Sequence, residues 1–264
     1  MTQAFLLTDF FGNIFRYREY LKQSVARDLR KRYKRSALGY CWSMLHPLFM
    51  MIILAVVFSN IMRFEMQDYA VFLFTGMIPW SYFSLTALGA LGSIRANASI
   101  IDQLPVPKYI FPLSLGFSNL ANFFLSLLPL LVIMLALGHS IPVTVLALPF
   151  VLIPLFFFTT GLALILAVAN VFFDDTQHLA TLAIQALYFL SPILYTKEHL
   201  PANILPWVTL NPMFNITEFM HDLFYYGRLP ELSTYLGSVA YSLAFLLVGL
   251  WIFRKTDHKF VYFM

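Results

Sequence analysis

Residues 109–173 read YIFPLSLGFSNLANFFLSLLPLLVIMLALGHSIPVTVLALPFVLIPLFFFTTGLALILAVANVFF and contain no Asp, Glu, Lys or Arg. Crossing a hydrocarbon layer of about 30 Å takes roughly 20 apolar residues in a helix, so this run is long enough for two crossings. Turn chemistry sets the division. Gly138-His139-Ser140-Ile141-Pro142 joins a residue that ends helices in the left-handed conformation to one that restarts them. The run therefore reads as a pair of spans joined by a very short hairpin.

Working outward, uncharged runs of spanning length fall at about 38–61, 69–93, 113–138, 143–172, 177–195 and 232–253. The chain is 60% hydrophobic and 11% charged, with 28 Phe and a mean hydropathy of +0.75. These properties predict an all-α integral membrane protein with six transmembrane helices. A pI near 9.1 also suits a nucleic-acid binder, but the basic residues lie outside the apolar runs instead of along one face, so no nucleic-acid partner is expected. The single cysteine, Cys41, excludes an intrachain disulfide or a cysteine-cluster metal site.

Six spans predict that alternate loops are basic. Nine Lys and Arg precede the first run, two (Arg95, Lys108) follow the second, none follow the fourth and three (Arg254, Lys255, Lys259) follow the last. Only Arg63, Lys197 and Arg228 fall on the other side. Both termini are thus expected to be cytoplasmic. Residues 27–35, RDLRKRYKR, hold six of the cations and fix the start of the first span inside. Ile14, Tyr17, Leu21, Val25 and Leu29 recur every three or four residues, with Arg16, Arg18, Lys22, Arg27 and Arg30 elsewhere around the wheel. That pattern predicts an amphipathic helix over about 14–33 in the membrane interface. A cleaved signal peptide is not expected, because the apolar stretch near Phe5 is short and interrupted by Asp9.

The spans lack any ionisable residue near their centres. Ion-coupled transporters keep one there despite a cost of about 2.5–3.5 kcal/mol, because it binds the coupling ion. The chain also lacks a G-x-x-x-x-G-K-[ST] phosphate loop. Uphill movement of a cargo would need a separate ATPase.

Several strings then become informative together: RDLRKRYKRSALGYCWSMLHPL (27–48), FTGMIPWSYFS (74–84), SIRANASI (93–100), ANVFFDDTQHL (169–179), LSPILY (190–195) and LNPMFNITEFMHDL (210–223). In collinear order they resemble the ABC-2 permeases that export bacterial polysaccharides, the O-antigen, capsule and teichoic-acid exporters. The resemblance implies one domain over 1–264: an interface helix in 1–36, a six-span bundle in 37–253, external re-entrant helices in 196–230 and a cytoplasmic tail in 254–264. It implies a bacterial inner-membrane location, and an exporter of two permease copies and two ATP-binding subunits that moves a lipid-linked polysaccharide between the permeases. ATP and Mg would be held by the partner ATPase, with no cofactor, metal or catalytic residue in this chain.

The same resemblance implies roles for residues. Arg30, Arg32 and Arg35 would face lipid headgroups or phosphates, which guanidinium forks bind well. Asn97, Ser99, Ile100, Ile101 and Asp102 would form a helix docking into the ATPase. Trp42 and Phe49 on span 1 and Tyr188, Phe189 and Tyr195 on span 5 would line the channel, offering flat rings to sugar faces. Asn211 and Pro212 would break the external segment, and Glu218 and Asp222, one turn apart, would belong to an external gate.

Two other readings remain open at this point. An ABC-2 permease can carry a drug or another small molecule. Asp174-Asp175 also has the look of a carboxylate pair that holds Mg2+ against a prenyl diphosphate, although Asp at the start of span 5 serves equally as a helix cap. Glu218-x-x-His221 occurs once, whereas metal sites use that spacing in pairs, and His46 reads as a bundle hydrogen-bonding residue.

Overall fold

The computed structural model describes residues 2–33, 41–60, 69–103 and 106–263, and all regular elements among them are helical. The expected interface helix is instead two helices, α1 (Thr2–Arg16) and α2 (Arg18–Tyr33), meeting at Tyr17. The amides of Tyr17 and Leu21 still bond to carbonyls four residues back at 2.9 Å. α2 also packs on the bundle. Leu21 and Ser24 of α2 are buried, Tyr20 meets Phe111 edge-on, and the Ser118 hydroxyl donates to the Asp28 carboxylate at 3.3 Å. α2 therefore lies against α6.

The remaining order is α3 (Cys41–Asn60), α4 (Tyr69–Leu91), α5 (Ala98–Gln103), α6 (Ile110–Ala136), α7 (Leu148–Phe172), α8 (Thr176–Phe189), α9 (Leu205–Val208), α10 (Pro212–Phe224) and α11 (Leu232–Thr256). Short 3-10 turns lead into α5 and α7 and close the chain after α11. Among the described residues, four stretches are long and apolar enough to cross a membrane: Tyr69–Leu91, Ile110–Ala136, Val143–Phe172 and Leu232–Phe260. α8 has 14 residues, about 21 Å at 1.5 Å per residue. It stops short of the expected 177–195 span because Pro192 follows Ser191 and disfavours helix there.

The hairpin that divides the long uncharged run forms as its composition predicts. Gly138 has φ +84°, the His139 amide bonds to the Met134 carbonyl at 2.9 Å and the Gly138 amide to Leu135 at 3.1 Å. This is the paired Schellman closure that satisfies the last carbonyls of a helix. Pro142 leads into the 3-10 turn Val143–Ala147, so regular α-helix resumes only at Leu148.

α4 occupies the centre. Phe72, Leu73, Phe74 and Phe83 on it are fully buried in a cluster that also takes in Phe123, Leu130, Leu155 and Phe158 from α6 and α7, with Met213, Phe219 and Leu223 from α10. A second cluster forms at the end where α5 lies: Phe10, Ile94, Val168, Val171, Phe253 and Phe260. There Asn13 donates to the Tyr109 hydroxyl at 2.8 Å and Arg254 pairs with Asp9 at 3.6 Å, so α1, the start of α6 and the end of α11 meet at one end. α7 and α11 cross backbone to backbone. A Cβ at Gly161 would stand 2.4 Å from the Phe245 carbonyl carbon, and one at Gly249 would stand 2.5 Å from the Gly161 oxygen.

Candidate functional site

Three regions combine exposed or polar chemistry with the residues singled out above. The first is the corner where α4 turns into α5. The Arg95 guanidinium donates to the Asp174 carboxylate and, at 3.1 Å, to the Val171 carbonyl, one of the last-turn carbonyls of α7 that have no partner within their own helix. In the opposite direction the buried Asn170 amide donates to the Leu91 carbonyl at the end of α4, at 2.9 Å. A cation at the end of α7 and a carboxylate at the start of α8 both suit the helix dipoles. On α5 itself Ser99 is exposed and Ile100 half-buried, and Ile101 packs onto the second cluster; in the 3-10 turn before it Asn97 turns back to the Ser93 carbonyl at 2.8 Å. Of the two isoleucines expected to dock a partner, only Ile100 is left outside that cluster.

The same corner bears on the carboxylate-pair reading. Asp174 is already matched to Arg95, so one of the two acids is neutralised by a cation. Asp175 stands at the N-cap of α8 without a side-chain cap bond; its carbonyl, not its carboxylate, receives the His178 and Leu179 amides at 3.1 Å. Among the described residues no three His, Cys, Asp or Glu side chains converge on a metal position.

The second region is α10 at the opposite end of the bundle. Asn211 caps it, its side-chain oxygen accepting from the Met213 amide at 3.0 Å while its amide donates to the Ser191 hydroxyl at 3.0 Å. Pro212 occupies the first turn, where its missing N–H costs nothing. Glu218 and Asp222 share a face as expected but take different partners. Glu218 lies 3.9 Å from Lys197 and 3.7 Å from the buried His221 ring; Asp222 binds Arg228 at 2.7 Å. Burial pushes the Asp222 carboxyl above the usual range even though Arg228 pulls it down, while Arg228, more exposed, is held charged by that hydrogen bond. The His221 ring stacks on Phe72, centroids 3.8 Å apart, with Nε2 3.1 Å from the Phe72 carbonyl. The hairpin and the end of α10 enclose an open cavity of about 420 Å³ lined by His139, Ser140, Tyr225 and Tyr226.

The third region is the outward surface of α3 and α8. Trp42 and Phe49 are 45% and 49% exposed, continued by Ile53 and Val56, and Phe189 is 58% exposed. Tyr188 and Tyr195 behave differently. Tyr188 is half-buried edge-on to Trp80, centroids 5.3 Å apart; the Tyr195 hydroxyl donates to the Phe189 carbonyl at 2.9 Å. α8 buries only Ala180 and Ile184. Its exposed side carries Gln177, Thr181 and Gln185, spaced by four and therefore stacked on one face. The i, i+4 spacing of these three polar residues in the sequence already encodes the stripe. Arg30 is exposed; Arg35 and the side chains of Arg32, His46 and Asp102 lie outside the described residues.

Residues 19–225 match the ABC-2 type transporter family. The chain is 34% identical over 238 residues to the O-antigen export system permease protein RfbA of Klebsiella pneumoniae, covering 89% of this chain and 90% of that protein. It is 31% identical over 250 residues to the protein of the same name from Myxococcus xanthus, covering 94% and 96%. It is 26% identical over 234 residues to the polysialic acid transport protein KpsM of Escherichia coli, covering 88% and 91%. A family match spanning most of the sequence, with two relatives above 30% identity aligned nearly end to end, makes this chain a member of the ABC-2 type transporter family.

Proposed function

We propose that the chain is the permease subunit of an ATP-driven exporter that moves a lipid-linked polysaccharide, of O-antigen type, across the bacterial inner membrane. It works as a homodimer with two ATP-binding subunits, hydrolyses no ATP and carries no cofactor. The observation that carries the reading is the near end-to-end similarity to two O-antigen export permeases. The lack of a phosphate loop supports an ATPase in a separate chain.

In this reading α3, α4, α6, α7 and α11 are full spans, the shorter α8 makes the sixth together with the turns of 190–195 that follow it, and both termini are cytoplasmic, which the distribution of Lys and Arg supports. α3 and α8 face the passage between the two copies. The exposed rings of Trp42, Phe49 and Phe189 supply flat apolar surface, and Gln177 and Gln185 supply hydrogen-bonding groups that lipid would leave unsatisfied; between them the Thr181 hydroxyl donates to the Gln177 carbonyl at 2.7 Å. Such contacts are individually weak, as a sliding polymer requires. α5 meets the ATPase through Ser99 and Ile100. α9 and α10 stand at the outer mouth, where the Asp222–Arg228 pair holds the segment after α10. Arg30, Arg32 and Arg35 meet phosphate groups at the inner face.

The test is export in cells deleted for both the chain and its ATP-binding partner. Surface polysaccharide should return only when the chain and its ATP-binding partner are supplied together, with lipid-linked glycan accumulating inside when either is missing. Normal surface polysaccharide in the deleted cells, or ATP turnover by the purified chain alone, would refute the reading.

A further inference from the structure

We propose that Arg95 is a positioning residue that transmits displacement of α5 to α8. The inference rests on the reading of α5 as the ATPase contact, and goes beyond it by naming the route and the helix that moves.

Arg95 lies in the 3-10 turn immediately before α5. Its guanidinium spans the turn between α7 and α8, with one nitrogen on the Val171 carbonyl at 3.1 Å and another on the Asp174 carboxylate. Asn170 returns the connection, holding the Leu91 carbonyl at 2.9 Å. Each helix end thus has a carbonyl held by a side chain from the other corner, and Ile94 packs with Val168 and Val171 in the same cluster. The two corners form one joint.

What the joint can move follows from how its neighbours are held. α7 is locked to α11 by the Gly161–Gly249 approach, where a single Cβ would strike backbone. α8 has no such restraint: only Ala180 and Ile184 are buried, with Tyr188 against Trp80 at its far end. A push on the joint therefore meets a stiff helix on one side of the 173–175 turn and a compliant one on the other. α8 is the element that gives. The Arg95–Asp174 pair is solvent-exposed, with side chains 40% and 80% accessible, and exposed pairs contribute little stability. Its removal should leave the protein folded, so a transmission role can be separated from a structural one.

The experiment uses the complete permease–ATPase complex in lipid nanodiscs. Cys41→Ser removes the native thiol, and Leu182→Cys places a reporter on the exposed side of α8, outside the polar stripe. The readout is the rate of labelling by a water-soluble maleimide with ADP and with a non-hydrolysable ATP analogue, alongside ATP turnover and copurification of the two subunits. The Arg95-intact complex should show labelling rates differing at least about fivefold between the two nucleotides, the lower end of typical coupling between sites. Arg95→Ala should bring the two rates within about twofold while the complex stays assembled and hydrolyses ATP. Arg95→Lys, with no fork to hold both acceptors, should fall between. Asp174→Ala added to Arg95→Ala should change nothing further, as expected for two members of one interaction.

Undiminished nucleotide dependence in Arg95→Ala, or none in the Arg95-intact complex, overturns the proposal. So does loss of copurification in Arg95→Ala, since Arg95 would then be an ATPase contact itself. Ile100→Asp in the same background separates the two readings. If it abolishes the nucleotide dependence and Arg95→Ala does not, the joint alone is wrong; if neither does, the assignment of α5 falls and takes the joint with it.

Discussion

α7 and α8 are consecutive, joined by three residues, and could hardly be held more differently. α7 lets α11 approach until Gly161 and Gly249 touch through their backbones, the small-residue packing by which membrane helices associate without a hydrophobic drive between them. α8 buries two residues and exposes most of the others. Stiffness is concentrated where the protomer must hold its shape. The outward surface of α3 and α8, with aromatic rings on one helix and a polar stripe on the other, is left uncovered.

The largest expected effect comes from breaking the stiff side. Gly161→Leu places a branched side chain where even a Cβ falls 2.4–2.5 Å from Phe245 and Leu246 backbone atoms. Overpacking of this kind costs about 1–3 kcal/mol or more, and the yield of monodisperse detergent-solubilised protein should collapse; unchanged yield would mean the α7–α11 crossing is wrong. Next is Ile100→Asp, which should lower surface polysaccharide roughly tenfold, the price of a coupling lesion of about 1.4 kcal/mol, while subunits copurify and ATP turnover persists. Export at the unsubstituted level would remove α5 from the interface.

A several-fold effect is expected on the loose side. At Trp42, Phe49 and Phe189, Leu should export as poorly as Ala, because Leu restores bulk without a flat stacking face. At Tyr188, packed on Trp80, Leu should outperform Ala, since it refills most of the cavity. Surface polysaccharide normalised to folded membrane protein decides; Leu rescue at all four sites would make every one of these rings a packing residue. The smallest effect belongs to Gly237→Ala. Gly237 lies in the same helix as Gly249, but nothing is within 4 Å of its Cβ position, so Ala should stabilise by about 0.5–1 kcal/mol through helix propensity. A thermal midpoint that fell would place a neighbour there.

Much of the fold was readable because the physics behind it is local. Uncharged length marks spans, and Gly138 with Pro142 divides the long run, because left-handed φ and a missing N–H are properties of single residues. The joint was not readable. Arg95 and Asp174 are 79 positions apart, and nothing in a loop cation announces which carbonyl it will cap. Nor does the uncharged run around Ser118 reveal that its hydroxyl meets Asp28, which reaches it from a neighbouring helix. Sequence placed Tyr188, Phe189 and Tyr195 together, but tertiary packing separates them, leaving Phe189 exposed and the other two engaged.

The difference between the two surfaces is tested most directly by water. In a Cys41→Ser background, single cysteines at Gln185 on α8 and Val248 on α11, both exposed in one copy, should react differently with a membrane-impermeant maleimide in the assembled exporter. If α8 lines a polar passage, Gln185→Cys should label and Val248→Cys, facing lipid, should not, while both react once the protein is denatured. Equal labelling of the two in the native exporter, or labelling of Val248 alone, would contradict the assignment of α8 to the path of the cargo.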